Sequence, residues 1–155
     1  MEERRLSDFI DIAIQREIEA YEFYQGLMAK IEDQTAKQAL ELLAGEEKKH
    51  RAFLEDYQAG KFGKEALRLS EVVDYKIAEH LEKPDIKKNM ESKDVYLVAA
   101  HREQNSYQFY TSLAAIHPDG SVKDMLIRMA NEEKRHKEKV EYLYTNTAFP
   151  QTDGG

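Results

Sequence analysis

Glu47 and His50 lie three residues apart in the chain, and so do Glu133 and His136. On a helix, residues i and i+3 share a face with Cβ atoms about 5–6 Å apart, so each pair can chelate one metal ion. Each pair also interrupts a run of apolar residues at helical spacing. Glu47 and His50 fall between Leu43 and Phe53, and Glu133 and His136 between Met129 and Val140. Two further acids fill gaps of the same kind. Glu17 stands between Ile14 and Tyr21, and Glu103 between Ala99 and Tyr107. Six ionisable side chains therefore occupy places where inward-facing residues belong. Burying four carboxylates together is very costly unless something pairs with them. Two divalent cations match the four negative charges, and two neutral imidazoles complete the set. Glu17 and Glu103 are then placed to bridge or flank the pair of ions. Oxygen ligands with two imidazoles suit iron or manganese better than copper.

The elements that must carry these residues come as two copies of one pattern. Residues 13–57 aligned without a gap on residues 99–143, an offset of 86, are identical at 17 of 45 positions. Arg16-Glu17 matches Arg102-Glu103, and Glu46-Glu47-Lys48-Lys49-His50 matches Glu132-Glu133-Lys134-Arg135-His136. Two copies are too few for a solenoid, so a duplicated helical hairpin is the simpler reading. Apolar spacing in each copy predicts two helices. The first pair breaks around Glu32 to Thr35. The second breaks at Pro118-Asp119-Gly120-Ser121, where Ser121 is expected as the N-cap. The expected organisation is one domain over 1–150, with hairpins at 6–60 and 94–146. A crossover at 61–93 is expected to contain a short helix, because Leu67, Leu69, Val72, Val73, Ile77 and Leu81 are too apolar for a free linker. Residues 151–155 read as a disordered tail. The fold class is all-α: a four-helix bundle with one long crossover.

Composition narrows the chemistry further. The 155 residues include no cysteine, which excludes disulfides, thiolate zinc sites, iron–sulfur clusters and thiol nucleophiles. Any metal must be held by oxygen and nitrogen. The net charge of −7 argues against a nucleic-acid surface. No apolar run approaches the roughly 20 residues that span a bilayer. Met1-Glu2-Glu3-Arg4-Arg5 leads into an amphipathic pattern without an apolar core segment, so no secretory signal is expected and a cytoplasmic location is.

A Glu from each of two helices plus Glu-x-x-His from each of the other two is the donor pattern of ferritin-like di-metal bundles. On these residues the chain resembles the rubrerythrin-like branch of the ferritin-like di-iron carboxylate proteins, over both repeat copies. The resemblance implies a metal set of Glu17, Glu47, His50, Glu103, Glu133 and His136. It implies two iron ions, for which manganese or zinc can substitute. It further implies tyrosines beside the ligands at Tyr24 and Tyr110, each seven residues after its Glu, and a homodimer. The chain departs from the family's pattern in two places. It has no Cys-rich iron domain, and Ser106 stands where a further carboxylate is usual one turn beyond the Glu of the third helix.

Three functions are consistent with these residues. The first is a di-iron oxidoreductase reducing peroxide or dioxygen by two electrons, with electrons from a separate donor protein. The second is a metal-binding or iron-handling protein without sustained turnover. The third is a plain bundle with its Glu and His on solvated faces. Glu46 and Glu132, about 100° round their helices from the ligands, are read as solvated or as bonding to a ligand from outside. His80, His101 and His117 have no histidine at the repeat-related position and are expected at the surface.

Overall fold

The computed structural model describes residues 5–69 and 92–148. Four helices account for most of them: α1 (Leu6–Met28), α2 (Gln34–Gln58), α3 (Ser92–Ala115) and α4 (Ser121–Ala148). A three-residue 3-10 helix, Gly63–Glu65, follows α2. No strand occurs among the described residues. The apolar part of the crossover beyond Leu69 and the tail at 151–155 lie outside the described residues.

Contacts between side chains give the helix directions. Tyr24 on α1 bonds Glu103 on α3, while Tyr110 on α3 bonds Glu17 on α1, so these helices run antiparallel. His50 on α2 meets Glu133 on α4, and Glu47 meets His136, so this pair is antiparallel too. The first hairpin sets α2 against α1, with Gln58 near the end of α2 donating to Asp11 near the start of α1. It follows that α2 and α3 point the same way. The chain leaves α2 at one end of the bundle and enters α3 at the other, which is the one-crossover topology.

The helices form because each buries one apolar stripe. The stripes make two hydrophobic clusters rather than one. One joins Phe9, Ile10 and Ile14 to Leu54, Tyr57, Leu113 and Leu126. The other joins Tyr24 and Leu27 to Leu40, Leu43, Ala99, Val140 and Leu143. On every helix the six expected ligand positions fall between these clusters. The apolar layers above and below exclude water, and replacing a fully buried leucine such as Leu54 or Leu126 by alanine would cost about 2–5 kcal/mol.

Two expectations need correction at the helix ends. Ser121 is not an N-cap. It lies inside α4, and its hydroxyl donates to Glu65, which also accepts its backbone N–H at 3.4 Å. Gly120 makes room for that contact, since a Cβ there would stand 3.0 Å from the Glu65 carboxylate. The capping role in the first hairpin belongs to Asp33, which accepts from Thr35 N–H at 3.0 Å. His117 is not at the surface. It is buried, with Nδ1 against the Leu113 carbonyl at 2.7 Å and Nε2 against the Tyr57 hydroxyl at 2.8 Å. The same hydroxyl accepts from Leu67 N–H at 2.9 Å. This network ties the end of α2, the start of the crossover and the α3–α4 turn together. His101 is exposed, as expected.

Candidate metal centre

All six predicted donors are buried, and the structure brings them together at mid-bundle. They form two four-residue groups whose donor atoms lie within 4.8 Å of one another: Glu17, Glu47, His50 and Glu133, and Glu47, Glu103, Glu133 and His136. Glu47 and Glu133 belong to both groups. The sequence leaves open whether Glu17 and Glu103 bridge or flank. Each of these two acids belongs to one group only, whereas the carboxylates of the two Glu-x-x-His motifs belong to both.

The distances place both imidazoles inside this ring of oxygens. His50 Nδ1 stands 2.9 Å from Glu133 and 3.8 Å from Glu17. His136 Nδ1 stands 3.0 Å from Glu47 and 3.5 Å from both Glu103 and Glu133. Close as they are, these atoms do not align as hydrogen bonds. Glu17 Oε2, Glu47 Oε1, Glu103 Oε2, both oxygens of Glu133 and Nδ1 of both histidines are buried without a hydrogen-bond partner among the described residues. Native proteins rarely bury so many polar atoms unsatisfied. Unsatisfied donor atoms this close to one another suit a shared cation, and the oxygen and imidazole donor set fits iron.

The outer atoms of the same groups are bonded. Tyr110 donates to Glu17 at 2.7 Å, and Tyr24 donates to Glu103. Each tyrosine thus holds the carboxylate of the opposite helix, not the one seven residues before it. Seven residues span about 10 Å along a helix, too far for a direct bond, whereas the antiparallel neighbour brings its Glu alongside. Glu132 reaches His50 Nε2 at 2.7 Å from outside the ring. Sequence reasoning left the role of Glu132 open and passed over Arg16 and Arg102, which are buried beside the site. The signal was present for the arginines, since both repeat in register.

Protons show the electrostatic stress of this cluster. Burial, reinforced by Glu133, raises Glu103 to about 8. Burial and the neighbouring carboxylates Glu103, Glu133 and Glu17 hold Glu47 well above the usual range. Burial opposes the charge on His136, but Glu103 and Glu133 outweigh it and raise the group to about 10. His50 is likewise raised despite its burial, by Glu133 and Glu132. Glu133 goes the other way: burial opposes its charge, yet His50 and His136 hold it well below the usual range. Burial and the facing carboxylates raise Tyr24 and Tyr110 well above an ordinary phenol, so both remain donors. Without metal, protons serve as the cations of this site. A bound metal ion must displace them.

Comparison with known proteins bears on the family and the fold. The family model described as Rubrerythrin matches residues 8–144. The fold superposes on a candidate ferritin-like diiron-carboxylate protein from Thermotoga maritima with a TM-score of 0.74 at 19% identity, over 95% of this chain and 99% of that one. It also superposes on a hypothetical protein from Pyrococcus furiosus with a TM-score of 0.70 at 24% identity, over 95% and 92% of the two chains. No curated protein matches the sequence. At these identities the two structures speak for the fold alone. The family match extends over most of the chain and takes in every one of the six buried donors, and on that ground the chain belongs to the rubrerythrin family.

Proposed function

We propose that this protein is a di-iron oxidoreductase that reduces hydrogen peroxide or dioxygen by two electrons, supplied by an external donor. The observation that carries the reading is the set of buried donor atoms with no hydrogen-bond partner, shared between two overlapping groups. Two iron ions held there would supply a two-electron couple at adjacent positions. Glu47 and Glu133, which belong to both donor groups, would serve both ions, while Glu17 with His50 and Glu103 with His136 would each complete one position.

The remaining residues keep that arrangement in place. Tyr24 and Tyr110 fix the flanking carboxylates through their outer oxygens. Glu132 accepts from His50 Nε2 and leaves Nδ1 facing the ring. The apolar clusters on either side keep bulk water out. No helix of the described residues is long and apolar enough to cross a membrane. The external donor and the homodimer are parts of this proposal that the resemblance supports, and the cytoplasmic location is a further part of it.

The test is anaerobic loading with Fe(II), elemental analysis, then exposure to peroxide with an added electron donor. Two ions per chain and sustained peroxide consumption are the expected result. Two tightly held ions without turnover would replace the enzyme by a metal-holding protein. A chain that retains no metal would overturn both readings.

A further inference from the structure

The outward face of α2 carries features that the described residues do not account for. Leu42 is 64% exposed, the most of any large apolar side chain among them. One turn on, Gly45 sits near the middle of a 25-residue helix. Its backbone is ordinary helix, without the positive φ of Gly60, Gly63 and Gly120. A Cβ built on it meets nothing within 4 Å. Neither conformation nor crowding calls for glycine there, and glycine weakens a helix interior relative to alanine. What a glycine supplies on a helix surface is a place where a second backbone can come close.

Leu42 and Gly45 line a shallow groove of about 330 Å³ together with Glu41, Glu46 and Lys49. We propose that this groove seats a second copy of the chain, in a homodimer whose two α2 helices cross antiparallel at Gly45. The inference gives the homodimer proposed above its surface. It rests on that part of the reading and is independent of the metal.

Charge selects the direction and the register. In a two-fold pair centred on Gly45, residues equally far to either side of it stand level across the interface. Glu41 and Lys49 each lie four residues from Gly45, about 6 Å along the helix axis. Glu41 of one copy therefore meets Lys49 of the other, and the contact occurs twice. Lys48, also exposed, is one residue nearer the crossing and adds to the positive side. Parallel packing would instead set Glu41 against Glu41 and Lys49 against Lys49. The Lys49 side chain is 77% exposed, and its contact to Glu46, at 3.8 Å on the surface, is of little strength, so it can turn to a partner. The aliphatic stem of that lysine then covers Leu42 of the other copy.

The corresponding face of α4 lacks these properties. At the offset of 86, Arg128 stands in place of Leu42 and Asn131 in place of Gly45. A charged side chain and a larger one hold a second helix off, so of the two faces α2 offers the contact. One helix face falls below the roughly 1,200 Å² at which complexes become stable, so the dimer dissociates on dilution.

The test is sedimentation of the full chain over a range of concentrations, with helicity checked in every variant. Wild type is expected to pass from monomer to dimer as concentration rises. Glu41→Lys and Lys49→Glu each weaken the dimer about tenfold or more, because each change acts at two contacts. The double variant exchanges the charges and restores most of the loss. Leu42→Lys, which faces the partner's lysines, stays monomeric. The chain has no cysteine, so Gly45→Cys adds one thiol at the crossing, where closely packed helices bring facing backbones within disulfide reach. It is expected to oxidise to a covalent dimer, and Gly26→Cys, exposed on α1, is not. A dimer that ignores the charge variants and leaves Gly45→Cys uncrosslinked would overturn this surface alone. A wild type that is monomeric at every concentration would overturn the homodimer and this surface together. A Gly45→Cys thiol shielded from a small reagent in the monomer would give the groove to another part of the same chain, and would overturn the proposal as well.

Discussion

Glu132 stands 2.7 Å from Nε2 of His50, whereas its repeat counterpart Glu46 pairs with Lys49 at 3.8 Å. His136 has no equivalent bond among the described residues. The two halves of the centre, alike in their donors, therefore differ in what holds them. A carboxylate on the far nitrogen of a ligating imidazole fixes its tautomer and raises its basicity.

Glu132→Gln is accordingly expected to weaken binding at the His50 position by about 10–100-fold and to leave the His136 position near wild type. Glu46→Gln should change neither. Stepwise metal titration followed by calorimetry distinguishes the two positions. Equal loss from both variants would mean that the asymmetry has no bearing on affinity.

Shared and flanking carboxylates should also behave differently. Glu133 serves both donor groups, and Glu17 serves one. Glu133→Ala is expected to lose both ions, and Glu17→Ala to retain one per chain. His50→Ala should follow Glu17→Ala. Elemental analysis of the purified variants decides this, and two ions retained in Glu133→Ala would show the assigned centre to be wrong.

Stability without metal should depend on pH through the protons that stand in for it. Glu103, raised from 4.5 to about 8, contributes stability that is full below about pH 4.5 and is lost as pH rises through about 8. His136, raised from 6.5 to about 10, contributes fully below about pH 6.5 and loses that contribution as pH rises through about 10. Glu133, held low, has the opposite sign. Its contribution is present above about pH 4.5 and is lost only as pH falls through its depressed value. Between about pH 6 and 9 the first two dominate, so the melting temperature of chelator-treated protein should fall steadily. Metal should raise the melting temperature by an amount that grows with pH, because fewer protons compete. A flat profile in the chelated protein would contradict a buried cluster of this kind.

The Tyr57 network can be tested apart from the metal. Tyr57→Phe removes the partner of Leu67 N–H and of His117 Nε2 while preserving the ring. The expected cost is about 1–3 kcal/mol, seen in urea or thermal unfolding, with metal content unchanged. Loss of metal in this variant would show that the crossover end and the centre are coupled.

The sequence was informative wherever a pattern repeated. The four helices, their hairpin pairing and the six buried donors follow from apolar spacing interrupted at matching places in both copies. The break near Thr35 and the turn at Pro118 also follow from local chemistry. Interactions between elements distant in sequence were not legible. Tyr24 and Tyr110 reach across to the opposite helix because the neighbours are antiparallel, which spacing within one helix does not reveal. His117 is buried because Tyr57, sixty residues earlier, offers a hydroxyl partner. Ser121 resembled a cap by its position after Gly120, but Glu65 claims its hydroxyl. Which carboxylates are shared depends on how closely two helices approach, and that distance is a property of the packed bundle.

Each hairpin carries three donors of its own group and lends one carboxylate to the other. Half the molecule alone therefore cannot finish either cage, yet two identical halves can finish both. The two halves are not identical: Ser106 stands where the first copy has Ala20, and among the described residues only His50 has a carboxylate on its far nitrogen.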